Sequence, residues 1–204
     1  MPRILLVLPG STDFDENGRI QGTLDIPLSE EGSREVARLA AELKERSIEA
    51  VYASQGEPAK STAQTIAAAL GVRFKPLEEL DNLNHGLWQG MLVDDVRRKQ
   101  PKVYRQWQEQ PDSVHPPEGE TLAEAGDRVE SALRKLLRKH RDGTFAVVVP
   151  EPLASIVRER LGGVEIGDLW RACASRHGCW EAFDVSGNCL DDQPAEAPAA
   201  RHGD

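Results

Sequence analysis

The 204-residue chain is short of aromatic residues, which make up 5% of it, and it holds three cysteines and two methionines. Cys173, Cys179 and Cys189 all stand in the last fifth of the sequence. An odd number so placed excludes the even disulfide framework that staples small secreted domains, and free thiols are expected. With His177 they spell C-x3-H-x-C-x9-C, a spacing that matches none of the usual zinc patterns, so neither a metal nor another cofactor is expected. Long apolar runs are missing as well. Nothing approaches the roughly 18 residues of a bilayer-spanning helix, and the apolar segment at residues 4–8 is too short for the core of a secretory leader. Basic tracts are also absent: 25 Lys and Arg face 34 Asp and Glu, a formal charge of -9 with neither sign gathered into a block. That excludes nucleic acid and anionic membrane as expected partners. A cytoplasmic protein remains, with one main domain over residues 1–189.

What is present is an alternation. "ILLVLPGST" at residues 4–12 is an apolar run that breaks on Pro9-Gly10. A strand feeding a glycine turn presents a loop at its carboxyl end, and here the turn presents only leucine and proline. A polar, turn-rich stretch follows, then Val36, Leu39, Ala40 and Leu43 at helical spacing with Ser29 available as N-cap. "IEAVYAS" at 48–54 reads as a strand, and the alanine-rich segment after it as a helix closed by Gly71. A brief strand around 72–74 leads through the irregular "LDNLNHGLWQG" to helical material from Val93 to about Gln108. Thr121 can cap a long helix whose stripe is Leu122, Ala125, Val129, Ala132, Leu133, Leu136 and Leu137. "TFAVVVP" at 144–150 has five consecutive apolar residues, which need cover on both faces and so mark a central strand. Short helices at 153–161 and 166–174 and a last strand in "WEAFDVS" complete the pattern. Residues 190–204 have almost nothing to bury and are expected to be a disordered tail. The expected fold is a three-layer α/β/α sandwich on a mostly parallel central sheet, with ligands received beyond the carboxyl ends of the strands.

In their order, "ILLV" with Gly10 and Thr12, "GRIQGTLDIPLSEEG" at 18–32, "IEAVYAS", "STAQTIAAALG" at 61–71, "GLWQG" at 86–90, "PPEGET" at 116–121 and "FAVVV" at 145–149 make the chain resemble the histidine phosphatase superfamily. That is the group of cofactor-dependent phosphoglycerate mutase and its phosphatase relatives. The resemblance spans residues 4 to about 185 and implies a phosphoglycerate mutase-like fold. It also implies two histidines and two arginines around a phosphoryl group, with an acid to protonate the leaving oxygen. Leu8-Pro9-Gly10 stands where the family has Arg-His-Gly. Pro58 stands where its second arginine precedes a helix, and Asn82 where its acid is expected. Pro150, Glu151 and Pro152 replace the Ser-His-Gly turn, and if Glu151 occupies the vacated histidine site it adds a negative charge where the family needs a positive environment.

Leucine and proline cannot attack phosphorus and have no side-chain donor. The expectation is therefore a catalytically inactive pseudophosphatase that binds an unidentified small molecule or a protein. The alternatives are altered chemistry through Glu151, Asp81 or Glu79 and His85, with or without a divalent metal, and residual phosphatase activity on a phosphomonoester. The remaining cleft candidates are Asp15, Arg19, Gln21 and Gly22, in the loop that borders the substrate in related enzymes, and His85, which reads first as a packing residue. Trp88 and Trp107 read as core. Arg-His-Gly recurs at 176–178 and 201–203, away from any central strand, and reads there as a turn and a tail.

Overall fold

Period-two burial organises the fold. In β1 (Arg3–Leu8) the side chains of Ile4, Leu6 and Leu8 join one apolar cluster, while Leu5 and Val7 join a second on the opposite face. All five are at most 1% exposed, as expected of a strand covered on both sides. The computed structural model describes residues 1–162, 166 and 177–185. Five strands form one sheet in the order β3-β2-β4-β1-β5, with β2 Ile48–Ala53, β3 Arg73–Pro76, β4 Thr144–Val148 and β5 Cys179–Asp184. Neighbours are parallel except at the edge, where β5 runs antiparallel to β1. The long apolar run at 144–150 is accordingly central, between β1 and β2.

Helices α2 (Glu30–Glu42) and α3 (Ala59–Leu70) cover one face through Leu39, Ala40, Ala63 and Ile66. The other face is covered by α6 (Leu122–Lys139) and α7 (Leu153–Gly162), the former laying Leu122, Val129, Leu133 and Leu136 on the sheet. The expected three layers are present. Thr121 starts α6 with a reciprocal capping box: its hydroxyl accepts from Glu124 N at 3.2 Å, and its own N–H donates to Glu124 at 2.8 Å. Arg138 and Lys139 in the last turn complement the helix dipole.

Two elements differ from the sequence reading. Polar residues 13–16 make a one-turn helix, α1 (Asp13–Glu16), because Thr12 and Asp15 also form a capping box. The single helix expected over 93–108 is two, α4 (Val93–Lys99) and α5 (Pro101–Glu109). Pro101 has no N–H and disfavours α geometry at Gln100, so the first helix stops there and a second begins on the proline. Trp88 and Trp107 pack edge to face at 5.8 Å, 3% and 1% exposed. No helix among the described residues is long and apolar enough to cross a membrane. The expected helix at 166–174, the tail at 190–204, and Cys173 and Cys189 lie outside the described residues.

Truncating Leu6 to Ala in the doubly covered strand is expected to cost about 2–5 kcal/mol through lost burial and the cavity left behind. Thr121→Ala is expected to cost about 1 kcal/mol through the lost cap. Urea unfolding followed by circular dichroism measures both.

Candidate functional site

The carboxyl ends of β1, β2 and β4 open into one cleft of about 150 Å³. Its floor is set where β1 stops. Pro9 and Gly10 follow the buried Leu8, and a Cβ on Gly10 would collide with the carbonyl oxygen of Gly32 and lie 2.8 Å from the Val36 side chain. Only glycine lets the turn lie this close to α2. Thr12 then caps α1, its N–H and hydroxyl each donating to Asp15 Oδ2 at 2.7 Å. Asp15 lines the cleft with a carboxylate already engaged by its own helix cap.

A second wall is the loop carrying Arg19, Gln21 and Gly22. Backbone bonds zip it to the segment after β3, with Ile20 N donating to Met91 O at 2.9 Å and Gly90 N to Ile20 O at 2.8 Å. Arg19 donates to Gly90 O at 2.6 Å, and Gln21 Nε2 to the carbonyl of Glu57 at 2.9 Å, next to Pro58. Gly22 has φ +58, a left-handed turn that favours glycine. Asn82, 6% exposed, braces these walls: its amide donates to Gly22 O and to Glu151 O, both at 3.1 Å, and its carbonyl accepts from Leu83 N. A carboxylate here could donate to neither oxygen.

The third wall is the turn after β4. Glu151 lines the cleft, yet its carboxylate is turned back into α7 and its side chain is 4% exposed. It accepts from Ser155 N at 3.0 Å, from the Ser155 hydroxyl at 2.8 Å and from Arg158 at 2.5 Å, while Arg158 also reaches Glu181 at 2.8 Å. Burial alone would lower the Arg158 pKa, but the charges and hydrogen bonds of Glu151 and Glu181 outweigh it and hold the guanidinium above its usual value. The negative charge expected of Glu151 does stand at the lining, but Arg158, one helical turn past Ser155, balances it.

Two histidines complete the lining. His85 is 3% exposed, packs at 5.4 Å on Trp107, and its Nδ1 has no hydrogen-bond partner. Burial holds its pKa down at about 4, so the ring is neutral at physiological pH. His177 also lines the cleft, with Nε2 3.8 Å from Asp15 Oδ1. The reading of His177 as a turn remote from the site is therefore corrected in its placement. The antiparallel β5 starts beside the end of β1, and Gly178 N donates to Pro9 O at 2.8 Å, which brings the preceding histidine over the cleft. Strand direction at that edge had no signal in the sequence.

Of the other anticipated residues, Pro9, Gly10, Asp15, Arg19, Gln21, Gly22, Pro58, His85 and Glu151 share this lining. Asn82 borders it and lines an adjoining hollow with Asp81. Leu8 does not reach the cleft, because strand alternation directs it into the core. Trp107, read as core, serves as both core and lining. The carboxylates proposed for altered chemistry are separated: Glu79 pairs with Lys135 at 2.9 Å, and Asp81, its pKa raised by burial, accepts from Gln55 N at 2.7 Å in the other hollow. Among the described residues no three His, Cys, Asp or Glu stand where they could hold a metal ion.

A family model described as histidine phosphatase superfamily (branch 1) matches residues 4–189. Phosphoserine phosphatase 1 of Hydrogenobacter thermophilus is 32% identical over 170 residues, covering 83% of this chain and 81% of that protein. Putative phosphoserine phosphatase 2 of the same organism is 27% identical over 89% of each. Among solved structures, Bacillus stearothermophilus YhfR superimposes with a TM-score of 0.83 at 22% identity over 92% of this chain and 93% of its own. A mycobacterial glucosyl-3-phosphoglycerate phosphatase in complex with VO3 gives 0.82 at 20%, with the same coverage. These two likenesses concern the fold.

Because His85 titrates near 4 when folded and near 6.5 when unfolded, the unfolded chain takes up a proton first as the pH falls. Stability should drop between about pH 6.5 and 4, by about 3 kcal/mol from this group, and His85→Phe should remove that part of the acid limb. Denaturant midpoints across the window check it. Arg158→Met should cost about 3–5 kcal/mol by stranding the buried Glu151 charge, and adding Glu151→Gln should recover most of the loss in the same assay.

Proposed function

The chain belongs to the histidine phosphatase superfamily, and on that premise we propose that it is a non-catalytic member whose cleft binds a small molecule other than a phosphate dianion. One observation carries the reading: the hollow in which the family resemblance implies a nucleophilic histidine and arginines is walled by Pro9, Pro58, Pro150 and Pro152. Most of the polar groups that remain are engaged elsewhere. Asp15 holds a helix cap, Gln21 and Asn82 brace backbone, and Glu151 is neutralised by Arg158. A hydrogen bond to a charged group is worth about 1.5–3 kcal/mol, so two missing multidentate arginines remove several kcal/mol of anion affinity. Arg19 does not replace them: it is a single guanidinium where the family resemblance implies two, and its Nη1 is bonded to Gly90 O. The relatives named as phosphoserine phosphatases make phosphoserine the ester to test first. A cytoplasmic setting is part of the same proposal.

A second reading has its own support, the approach of His177 to Asp15 at the cleft mouth. A histidine oriented by a carboxylate is the arrangement a general base or a phosphoryl acceptor needs. At 3.8 Å the pair lies beyond hydrogen-bond distance, and Asp15 is already held by Thr12.

Purified full chain incubated with phosphoserine, p-nitrophenyl phosphate and phosphosugars is expected to release no phosphate above a heat-denatured control. Turnover that survives in wild type and disappears in His177→Ala would establish the second reading instead. Turnover independent of His177 would overturn both.

A further inference from the structure

The same cleft also restricts what it can hold, an inference that rests on the non-catalytic reading above. A hollow of about 150 Å³ accommodates about one benzene-sized molecule. Its walls are largely apolar: the four prolines, Ile20, Val93 and Trp107. Proline rings offer flat C–H surfaces, the complement that aromatic rings meet in proline recognition. Charge is disfavoured in both signs. The two carboxylates and two guanidiniums at or behind the lining, Asp15 and Glu151 with Arg19 and Arg158, balance one another, so a charged ligand of either sign would give up its hydration for no net attraction.

Within these walls His85 supplies a specific demand. Its Nδ1 is buried without a partner, and such a group forfeits about 1–3 kcal/mol until something bonds to it. Histidine χ2 is a broad torsion, and rotation of the imidazole about Cβ–Cγ would bring that sealed nitrogen to an occupant. Whether Nδ1 is donor or acceptor depends on the tautomer, and a hydroxyl, which both donates and accepts, satisfies either. We infer that the cleft is a receptor for an uncharged single-ring aromatic bearing a hydroxyl, a phenol-type molecule, with the ring between the prolines and the hydroxyl on His85.

Full-length protein titrated with phenol, toluene, benzoate and inorganic phosphate tests this, read by tryptophan fluorescence and by the ring-nitrogen chemical shifts of His85. Phenol is expected to saturate and to move the His85 shifts. Toluene should bind about five-fold more weakly, the contribution of one hydrogen bond, without moving them. Benzoate and phosphate should not compete. In His85→Phe, which keeps a ring against Trp107, the preference for phenol over toluene should vanish; the wild-type shifts decide the matter if that variant does not fold. Equal binding of phenol and toluene, no saturable phenol effect, or displacement of phenol by phosphate would overturn the ligand class. Release of phosphate from esters would instead sink the non-catalytic reading, so the two failures are distinguishable.

Discussion

The cleft depends on one buried amide. Asn82 donates through a single nitrogen to the carbonyls of Gly22 and Glu151, joining the loop after β1 to the turn after β4, while its own carbonyl is occupied by Leu83 N. Asn82 itself is 6% exposed, and its bond to Gly22 O is buried, so that carbonyl has no water as an easy substitute partner. An acid at this position would set oxygen against oxygen on two sides and pull the walls apart unless it were protonated, and a single proton could serve only one of them. A side chain that braces in this way is not available to give a proton to a leaving group. The chemistry implied by the family resemblance and the bracing seen here compete for one position, and the asparagine resolves the competition in favour of structure.

The same exchange of reactivity for support recurs around the hollow. Asp15 closes a helix cap, Gln21 ties its loop to Glu57, and Glu151 is buried against Arg158 and Ser155. A buried ion pair of this kind stabilises little in net terms, because desolvation offsets most of the attraction. Its effect on the cleft is larger, since it removes a negative charge from the lining without leaving a free positive one. With prolines on the floor and walls, the space becomes nearly neutral and apolar, and the unpartnered nitrogen of His85 is its least satisfied polar group. Fold membership and site chemistry are separable in this protein, as they are in folds that host several functions.

Much of the architecture could be read along the chain because it is encoded locally. The unbroken apolar runs Ile4 through Leu8 and before Pro150 both specify strands covered on two faces, and Thr121 with Glu124 announces the start of α6. The break at Pro101 is not read from the pattern, because periodicity alone joins the helical run that the proline divides. The loop positions at Pro9, Pro58 and Glu151 converge because each directly follows a strand of one sheet, and carboxyl ends of parallel strands share an edge. His177 was not legible. Its place follows from β5 running antiparallel at the sheet edge, and pairing direction there leaves no periodic trace in a single sequence. Nor could spacing reveal that Glu151 points away from the cleft, since that depends on Arg158 and Ser155 being presented by α7.

By itself the sequence determined which residue types could stand near the cleft and which could not act there: proline has no nucleophile and no donor, whatever surrounds it. It determined the layers as well, because burial period and helix caps are properties of neighbours along the chain. The tertiary structure alone decided which charges cancel, which histidines face the hollow and how large the hollow is. Those are distances between residues far apart in sequence, such as Asn82 and Glu151 or Asp15 and His177, and electrostatic and hydrogen-bonding energies depend on such distances.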